Sequence, residues 1–175
     1  MHKKISLQAD FDKFVNHKYE HSINHCLSGG QKEQPIYNDY GGLPESYVHS
    51  NTTTYQEFWD ETQCDFEDFG NQLNMEVVTV SSIMQQPGCV IPLHRDTFFQ
   101  IKKRFPNRSE RMVRANIFCE DWKYGHFLQY NSTVDSNWKK GQGHMWDSEV
   151  LHIGANNGMQ NKYTLQVSGF LNVGR

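Results

Sequence analysis

The sequence lacks the features that mark several large classes of protein. None of its 175 residues belongs to an apolar run near the roughly 20 residues that cross a bilayer. The start, Met1-His2-Lys3-Lys4, has no apolar segment typical of a signal peptide. The formal net charge is only −3, so nothing indicates a polyanion as partner. We therefore expect a soluble, cytoplasmic protein that binds neither membrane nor nucleic acid.

Cysteine is also sparse, and its spacing excludes two kinds of site. Cys26, Cys64, Cys89 and Cys119 form no CxxC pair, so neither a zinc knuckle nor a thioredoxin-like motif is indicated. Reduced thiols are the expectation. Neither GxxxxGK nor GxGxxG occurs, which leaves the chain without a phosphate-binding loop motif.

The first 74 residues are interpreted as helices and loops. Aromatic residues near helical spacing predict a first helix over about residues 9–25, and residues 31–50, punctuated by glycine and proline, predict a loop. Thr54-x-x-Glu57 has the form of a capping box, which predicts that a second helix begins there. The apolar stripe of this second helix would comprise Tyr55, Phe58, Trp59, Phe66 and Phe69.

Several histidines outside the main motif are not expected to bind a metal. His17, His21 and His25 recur every four residues on the predicted first helix, a ladder that can bind a divalent metal. Since no acidic partner accompanies them, a solvated helix face is favoured. His126 and His144 lie in strand-like runs and are interpreted as structural or as part of a substrate wall.

After residue 74 the sequence changes to short runs rich in β-branched and aromatic residues, separated by Gly, Asn, Asp or Pro. Eight such runs favour a jelly roll, the cupin-like double-stranded β-helix, over residues 75–172. Residues 1–74 would pack on this barrel within one domain, 1–175, making a mainly β fold with flanking helices (α+β). The candidate strands are Met75 to Met84, Cys89 to His94, Val113 to Cys119, His126 to Tyr130, Ser132 to Trp138, Gly143 to Trp146, Val150 to Ile153 and Tyr163 to Leu171.

One histidine–carboxylate pair stands at the end of a candidate strand. His94 and Asp96 are two residues apart, so their side chains leave the same face. His152 lies 56 residues after Asp96, on a strand that a jelly roll can bring alongside. Two histidines and one carboxylate form a facial triad, which leaves coordination positions open and suits non-haem Fe(II). Zinc is chemically compatible with the same ligands.

The surroundings of His152 carry a family resemblance. Trp138-Lys139-Lys140-Gly141, then Met145-Trp146-Asp147-Ser148, then His152 resembles the distal-histidine region of Fe(II)- and 2-oxoglutarate-dependent oxygenases, especially the aspartyl/asparaginyl β-hydroxylase-like group. The resemblance covers roughly residues 75–172. It implies a dioxygenase that uses Fe(II), 2-oxoglutarate and O2 to hydroxylate a peptide or protein side chain or a small amino-acid-like molecule. Short members are also encoded by bacteriophages, which would place the protein in a host cytoplasm.

The resemblance also implies a basic residue ten positions past the iron histidine, binding the distal carboxylate of 2-oxoglutarate. That position is Lys162, where arginine is usual in the group, and Thr164 on the same strand face would supply a hydroxyl. Arg114 and Asn116 alternate with apolar residues, so they give a buried strand one polar face, which implies a polar ligand. In the resembling family this strand contacts the co-substrate, and Arg114 is the candidate for a second anionic contact on 2-oxoglutarate or substrate. An exposed arginine on an edge strand is the alternative.

The pocket walls are expected from residues 31–50 and from the loop 97–110. The segment from Thr97 to Arg111 is predicted to border the pocket entrance and to become ordered when substrate binds, its charges suiting an anionic substrate. A solvated charge run is the alternative. Its basic residues are Lys102, Lys103, Arg104, Arg108 and Arg111.

Two other functions stay open from the sequence. A cupin-like protein can hold a metal or small acid without turnover, although Lys162 favours the enzyme because a simple metal-binding barrel needs no cation there. Zinc-assisted hydrolysis is the weaker alternative, since it needs a general base near a metal-bound water and the sequence marks none.

Overall fold

The computed structural model of the chain describes residues 1–26, 35–49 and 51–172. In these ranges the β-strands are β1 (His2–Ser6), β2 (Ser22–Asn24), β3 (Thr53–Trp59), β4 (Met75–Gln85), β5 (Val90–His94), β6 (Met112–Phe118), β7 (His126–Tyr130), β8 (Thr133–Asp135), β9 (Gln142–Trp146), β10 (His152–Asn156) and β11 (Lys162–Leu171). The helices are α1 (Asp12–Val15), α2 (Glu45–His49), α3 (Phe66–Leu73) and α4 (Phe99–Arg104), with a 3-10 helix over Pro35–Tyr40.

The strands form two antiparallel sheets. The larger has seven strands in the order β1-β9-β6-β11-β4-β3-β2, and the smaller has four in the order β5-β10-β7-β8. Strands far apart in sequence are neighbours in both sheets, as β10 is with β5. This arrangement is a double-stranded β-helix, which confirms the predicted jelly roll.

The two faces of the larger sheet have different environments because side chains alternate along each strand. On β6, Val113, Ala115 and Ile117 are completely buried in the main apolar core, which also includes Phe14 of α1 and Phe69 and Leu73 of α3. The intervening residues of β6 point the other way, toward the smaller sheet. The helices thus cover the outer face, and the inner face is left to line a cavity between the sheets.

The prediction for residues 1–74 is wrong in most of its detail. β1 and β3 pair with β9 and β4, so this part of the chain extends the larger sheet. The first helix is only α1, and β2 occupies part of the segment predicted to be helical. The capping-box segment forms β3, and the helix begins later, where the Asp65 carboxylate accepts a hydrogen bond from the amide of Asp68 at 2.9 Å.

Two predicted loops contain helices. Within 31–50, the described residues form the 3-10 helix and α2, while 31–34 and 50 lie outside the described residues. The basic segment 97–110 contains α4. Across the described ranges, none of the helices has both the length and the apolar character needed to span a bilayer.

The remaining histidines have mainly structural partners. The favoured interpretation of His17, His21 and His25 as a solvated helix face is wrong, because no helix holds these residues together, and His21 Nδ1 lies 2.9 Å from a carboxylate oxygen of Glu57. His126 Nε2 is 3.0 Å from the carbonyl oxygen of Gln160. His144 Nε2 lies 2.5 Å from a carboxylate oxygen of Asp135. These contacts agree with the structural interpretation of His126 and His144.

Candidate metal centre

His94, Asp96 and His152 converge between the two sheets. His94 ends β5, His152 begins β10, and the two residues are directly opposite each other in the antiparallel pair. Asp96 follows His94 by two residues. One ligand atom from each of the three side chains lies within 4.8 Å of the others, and all three residues are buried. The donor set is two imidazole nitrogens and one carboxylate oxygen.

Backbone carbonyl groups fix how the two imidazoles are protonated. His94 Nδ1 is 2.7 Å from the carbonyl oxygen of Pro92, and His152 Nδ1 is 3.1 Å from that of Val150. Because a carbonyl oxygen only accepts, each Nδ1 carries the proton and each Nε2 keeps its lone pair. Burial lowers the pKa of both histidines, that of His152 to about 3, so both rings are neutral near pH 7. Neutral rings with a free Nε2 are the form that binds a metal.

The carboxylate of Asp96 is held by two donors. Arg114 Nη1 donates to Oδ1, and Trp146 Nε1 donates to Oδ2 at 2.7 Å. Burial acts to raise the pKa of Asp96, but the Arg114 guanidinium and the hydrogen bond from Trp146 outweigh it and hold that pKa below its ordinary value. Asp96 is therefore ionised, as a ligand must be. Arg114 also donates from Nε to Ser168 Oγ at 2.9 Å.

This pairing differs from the expectation for Arg114. The sequence suggests an anionic ligand as its partner, whereas in the structure its Nη1 is occupied by Asp96. The role of the Trp146 indole was missed, although the residue belongs to the motif around His152. The signal was available in principle, since a buried indole N–H needs an acceptor.

A cavity of about 290 Å³ opens beside the cluster. Its floor is the inner face of the larger sheet, where alternate residues of β11 point inward. These are Lys162, Thr164, Gln166 and Ser168, and all four line the cavity. Asn116 of β6 is paired with Gln166 in the sheet, and its Oδ1 accepts a hydrogen bond from Gln166 Nε2 at 3.0 Å. The predicted residues Lys162, Thr164, Arg114 and Asn116 therefore share one cavity with the triad.

Lys162 lies at the closed end of the cavity. It is only 3% exposed, and its Nζ donates to the carbonyl oxygens of Phe127 and Ala155 at 2.9 and 3.5 Å. Burial lowers its pKa to about 7. Among the described residues that line the cavity, Asp96 is the sole acid, and it is paired with Arg114. The Lys162 ammonium therefore has no carboxylate partner within this lining.

Several polar cavity residues were missed or misassigned from the sequence, among them Gln85 and His25. Gln85 is paired with Lys162 in the sheet and donates from Nε2 to the carbonyl oxygen of Gly154 at 3.0 Å. His25 also lines the cavity, with Nε2 2.8 Å from Thr54 Oγ1, and burial lowers its pKa to about 4. The predicted helix over residues 9–25 placed His25 on a helix face. In the structure His25 follows β2 directly and lines the cavity.

The open end of the cavity has apolar and basic character. Phe58 and Phe99 line it with 61% and 64% of their surface exposed. Lys102, Lys103 and Arg104 are exposed in the next turn of α4. Within 31–50, residues 35–47 do not line the cavity, so the expectation that this part forms a wall is wrong.

Arg108 is also misassigned. It forms ion pairs with Glu76 and Glu110, both at 2.7 Å, rather than facing the cavity. The basic residues of the segment 97–110 therefore divide into a free group on α4 and one paired arginine.

Comparison with known proteins places the fold. No protein-family model matches the sequence, and no curated protein matches it. Among solved structures, a prolyl 4-hydroxylase from Pseudomonas putida is 17% identical with a TM-score of 0.52, over 93% of this chain and 97% of that one.

Two smaller domains are also among the structural matches. The cupin domain of an XRE-family transcriptional regulator from Enterobacter cloacae is 11% identical with a TM-score of 0.42, over 68% of this chain and 98% of that one. A double-stranded β-helix protein from Klebsiella pneumoniae is 16% identical with a TM-score of 0.38, over 57% of this chain and 78% of that one. At 17% identity the similarity to the prolyl 4-hydroxylase shows the fold alone, and the strand order of this chain is that of a double-stranded β-helix.

Proposed function

We propose that the chain is an Fe(II)- and 2-oxoglutarate-dependent dioxygenase that hydroxylates a peptide side chain or a small amino-acid-like molecule. One observation carries the proposal: a buried His94–Asp96–His152 cluster shares its cavity with Lys162, a buried ammonium without a carboxylate partner in the described lining. A metal-binding triad alone is compatible with barrel proteins of many functions. A cation at the closed end of the same cavity indicates an acidic ligand that reaches it.

The donor set fits ferrous iron. Two neutral imidazoles and one carboxylate on one side of an ion leave its other positions open, which is the arrangement of non-haem Fe(II) oxygenases. When bound, iron with 2-oxoglutarate supplies the oxygen chemistry, in which one oxygen atom of O2 enters succinate as CO2 leaves and the other enters the substrate. The protein residues hold the ion and orient what binds beside it.

The spacing between cluster and lysine fits a five-carbon dicarboxylate. Gly154 follows His152 by two residues on β10, and two residues along a strand span about 6.6 Å. A Cβ built on Gly154 would lie 3.8 Å from Lys162 Nζ, so the ammonium stands beside that glycine. A ligand bound at the triad therefore has its far end close to Lys162. This reach matches 2-oxoglutarate, with its keto-acid end on the metal and its other carboxylate on the ammonium.

Lys162 has bonding capacity left for that carboxylate. An ammonium has three N–H donors, and two point at backbone carbonyl oxygens. The third has no acceptor among the residues that the structure describes. Thr164, on the same face of β11, adds a hydroxyl within the cavity. A carboxylate bound here would make a charge-assisted hydrogen bond in a dry environment.

The decisive experiment is succinate formation. Purified protein is incubated with Fe(II), ascorbate and 2-oxoglutarate, alone and with cell extract, and succinate is quantified by mass spectrometry. We expect slow succinate formation alone and faster formation with extract. His94→Ala should abolish both, whereas His21→Ala, which alters an exposed histidine outside the cavity, should not. Tight binding of metal and 2-oxoglutarate without succinate would instead identify a cupin-like binding protein.

A further inference from the structure

Helix α4 forms one rim of the cavity mouth. Phe99, Gln100 and Ile101 line the cavity, and Ile101 also anchors the helix in an apolar cluster with Phe98 and Phe170. Residues three and four apart share a face of a helix. Lys102 and Lys103 therefore lie on the same side as the exposed ring of Phe99, immediately outside the mouth.

The charges on this rim are unpaired. Lys102, Lys103 and Arg104 are exposed, and none forms an ion pair with another described residue. The rest of the chain has a net negative balance, since the whole protein carries −3. A run of three free cations beside the entrance is therefore a local departure from the overall charge.

The lining of the cavity between rim and metal cluster contains three basic side chains and only one acidic side chain among the described residues. Its floor carries Ser81, Thr79 and Gln166, and its single acid in the described lining is committed to Arg114. An ammonium or guanidinium group entering from the mouth would find no free carboxylate, and burying an unpaired cation is costly. The group that reaches the metal is therefore uncharged or anionic.

We propose that the substrate is an acidic peptide segment, whose carboxylates lie along Lys102, Lys103 and Arg104 and which places an apolar side chain between Phe58 and Phe99. This inference rests on the proposed function, because it names the substrate class of the same site. Two exposed phenylalanines that line one cavity offer apolar area that a solvated charge run alone does not require. Acidic residues next to the anchor would increase the association rate through the attraction of opposite charges.

An anionic membrane and single-stranded nucleic acid would also interact with basic and aromatic side chains, but both fit this cavity less well than a peptide does. A membrane with anionic lipids would attract the lysines and the phenylalanine rings, but a flat surface does not enter a cavity floored with hydroxyl and amide groups. Single-stranded nucleic acid would stack on the rings, but it requires a basic groove along its path, and three adjacent cations cover only a short stretch. A peptide matches both the rim and the narrow interior.

Fluorescence anisotropy tests the inference without turnover. The probe is a short fluorescein-labelled peptide of glutamate and glycine with one central phenylalanine. Matched probes replace glutamate with lysine, or phenylalanine with glycine. A single-stranded oligonucleotide of similar charge and vesicles containing phosphatidylserine represent the other partners. The assay uses the full chain with Zn(II) and 2-oxoglutarate, so that no reaction proceeds.

We expect the acidic peptide to bind and the lysine peptide not to bind. Lys102→Ser with Lys103→Ser should weaken binding about three- to tenfold, since exposed ion pairs contribute modestly. Phe99→Ser should weaken it about tenfold through lost apolar contact. Lys3→Ser with Lys4→Ser removes the same charge from an exposed site on β1 and should have no effect. Added salt should weaken binding.

Equal binding of the acidic and lysine peptides, or equal loss in the two lysine pairs, would overturn the inference. Tighter binding of the oligonucleotide or the vesicles would also overturn it and identify that class of partner. These results do not depend on oxygen chemistry, so the acidic-peptide inference and the dioxygenase proposal fail separately. Succinate formation with no preference among the peptides would support the dioxygenase proposal and contradict the inference of an acidic peptide substrate.

Discussion

The indole of Trp146 donates a hydrogen bond to Oδ2 of Asp96 at 2.7 Å, and its ring lies 4.5 Å, centroid to centroid, from the imidazole of His152. One completely buried side chain thus contacts two members of the candidate metal cluster. β9 positions it, because Trp146 ends that strand directly opposite Arg114 of β6. Both donors to the Asp96 carboxylate therefore come from neighbouring positions in the larger sheet.

Trp146→Phe tests what this hydrogen bond contributes. The substitution keeps an aromatic ring but removes the donor, so Asp96 should lose orientation and metal affinity should fall about tenfold or more. Titration of the metal-free protein with Co(II), followed by absorption and calorimetry, measures the change. Trp122→Phe is the matched control, because it removes an indole bond to the backbone carbonyl of His126 instead. Unchanged affinity in Trp146→Phe would make the indole a packing residue only.

Lys162→Met tests the proposed anchor for 2-oxoglutarate. Methionine fills similar space without charge, so the metal should bind as before while 2-oxoglutarate affinity falls. Loss of a buried charge-assisted contact typically costs about 2 to 5 kcal/mol, a thirtyfold to several-thousandfold weakening. Calorimetry in the presence of Zn(II) measures both constants. If 2-oxoglutarate binds equally well to the variant, its anchor lies on another cation such as Arg114.

The lowered pKa of Lys162 predicts that 2-oxoglutarate binding is coupled to proton uptake. Because the folded-state pKa is about 7, the amine is mostly neutral at about pH 8, and an arriving carboxylate favours the charged form. On average, a fraction of one proton should then be taken up for each 2-oxoglutarate molecule that binds. Calorimetry in two buffers with different ionisation enthalpies detects this as a difference in observed heat. The difference should vanish in Lys162→Met.

The lowered pKa of Lys162 also predicts how the free energy of unfolding changes with pH. The unfolded chain binds the lysine proton more tightly than the folded chain between about pH 7 and pH 10, so the free energy of unfolding contributed by this group rises with pH over that window. Urea denaturation of wild type and Lys162→Met at both ends of the window isolates the effect. The wild type should gain stability relative to the variant as the pH increases. No change with pH in this window would mean that Lys162 remains charged in the folded protein.

Gly154→Ala tests the passage between the metal cluster and the lysine. The nearest atoms to a Cβ at this position are Gln85 Oε1 at 3.6 Å and Lys162 Nζ at 3.8 Å, which are ordinary contacts, so the variant should fold normally. The added methyl group occupies space beside the ammonium. We expect weaker 2-oxoglutarate binding with unchanged metal affinity and melting temperature. Gly143→Ala behaves differently, because its Cβ would lie 2.1 Å from the carbonyl oxygen of Asn116 and should destabilise the sheet.

The strands after residue 74 were predictable because their signals are local. Runs rich in β-branched and aromatic residues between turn residues identified the strands from β4 to β11, with boundary shifts of a few residues. The pairing of His94 with His152 was predictable from the fold that those strands imply. What the sequence did not indicate is which polar side chains would meet, because Arg114 reaches Asp96 only after the two sheets come together.

The amino-terminal strands were missed for a different reason. β1 consists largely of polar residues, and as the edge of the larger sheet it needs no alternating apolar pattern. In β3, Tyr55, Phe58 and Trp59 happen to have helical spacing, and Thr54 and Glu57 imitate a capping box. Pairing with β4 determines the conformation there, so tertiary context outweighs the local pattern.

Lys162 lies at the closed end of the cavity, whereas Phe58 and Phe99 stand at its open end. Under the proposed function, 2-oxoglutarate and the peptide would therefore occupy the cavity one behind the other. The dicarboxylate must arrive first, and the peptide behind it blocks its escape. Steady-state kinetics would follow a compulsory order, in which succinate is released only after the modified peptide has left.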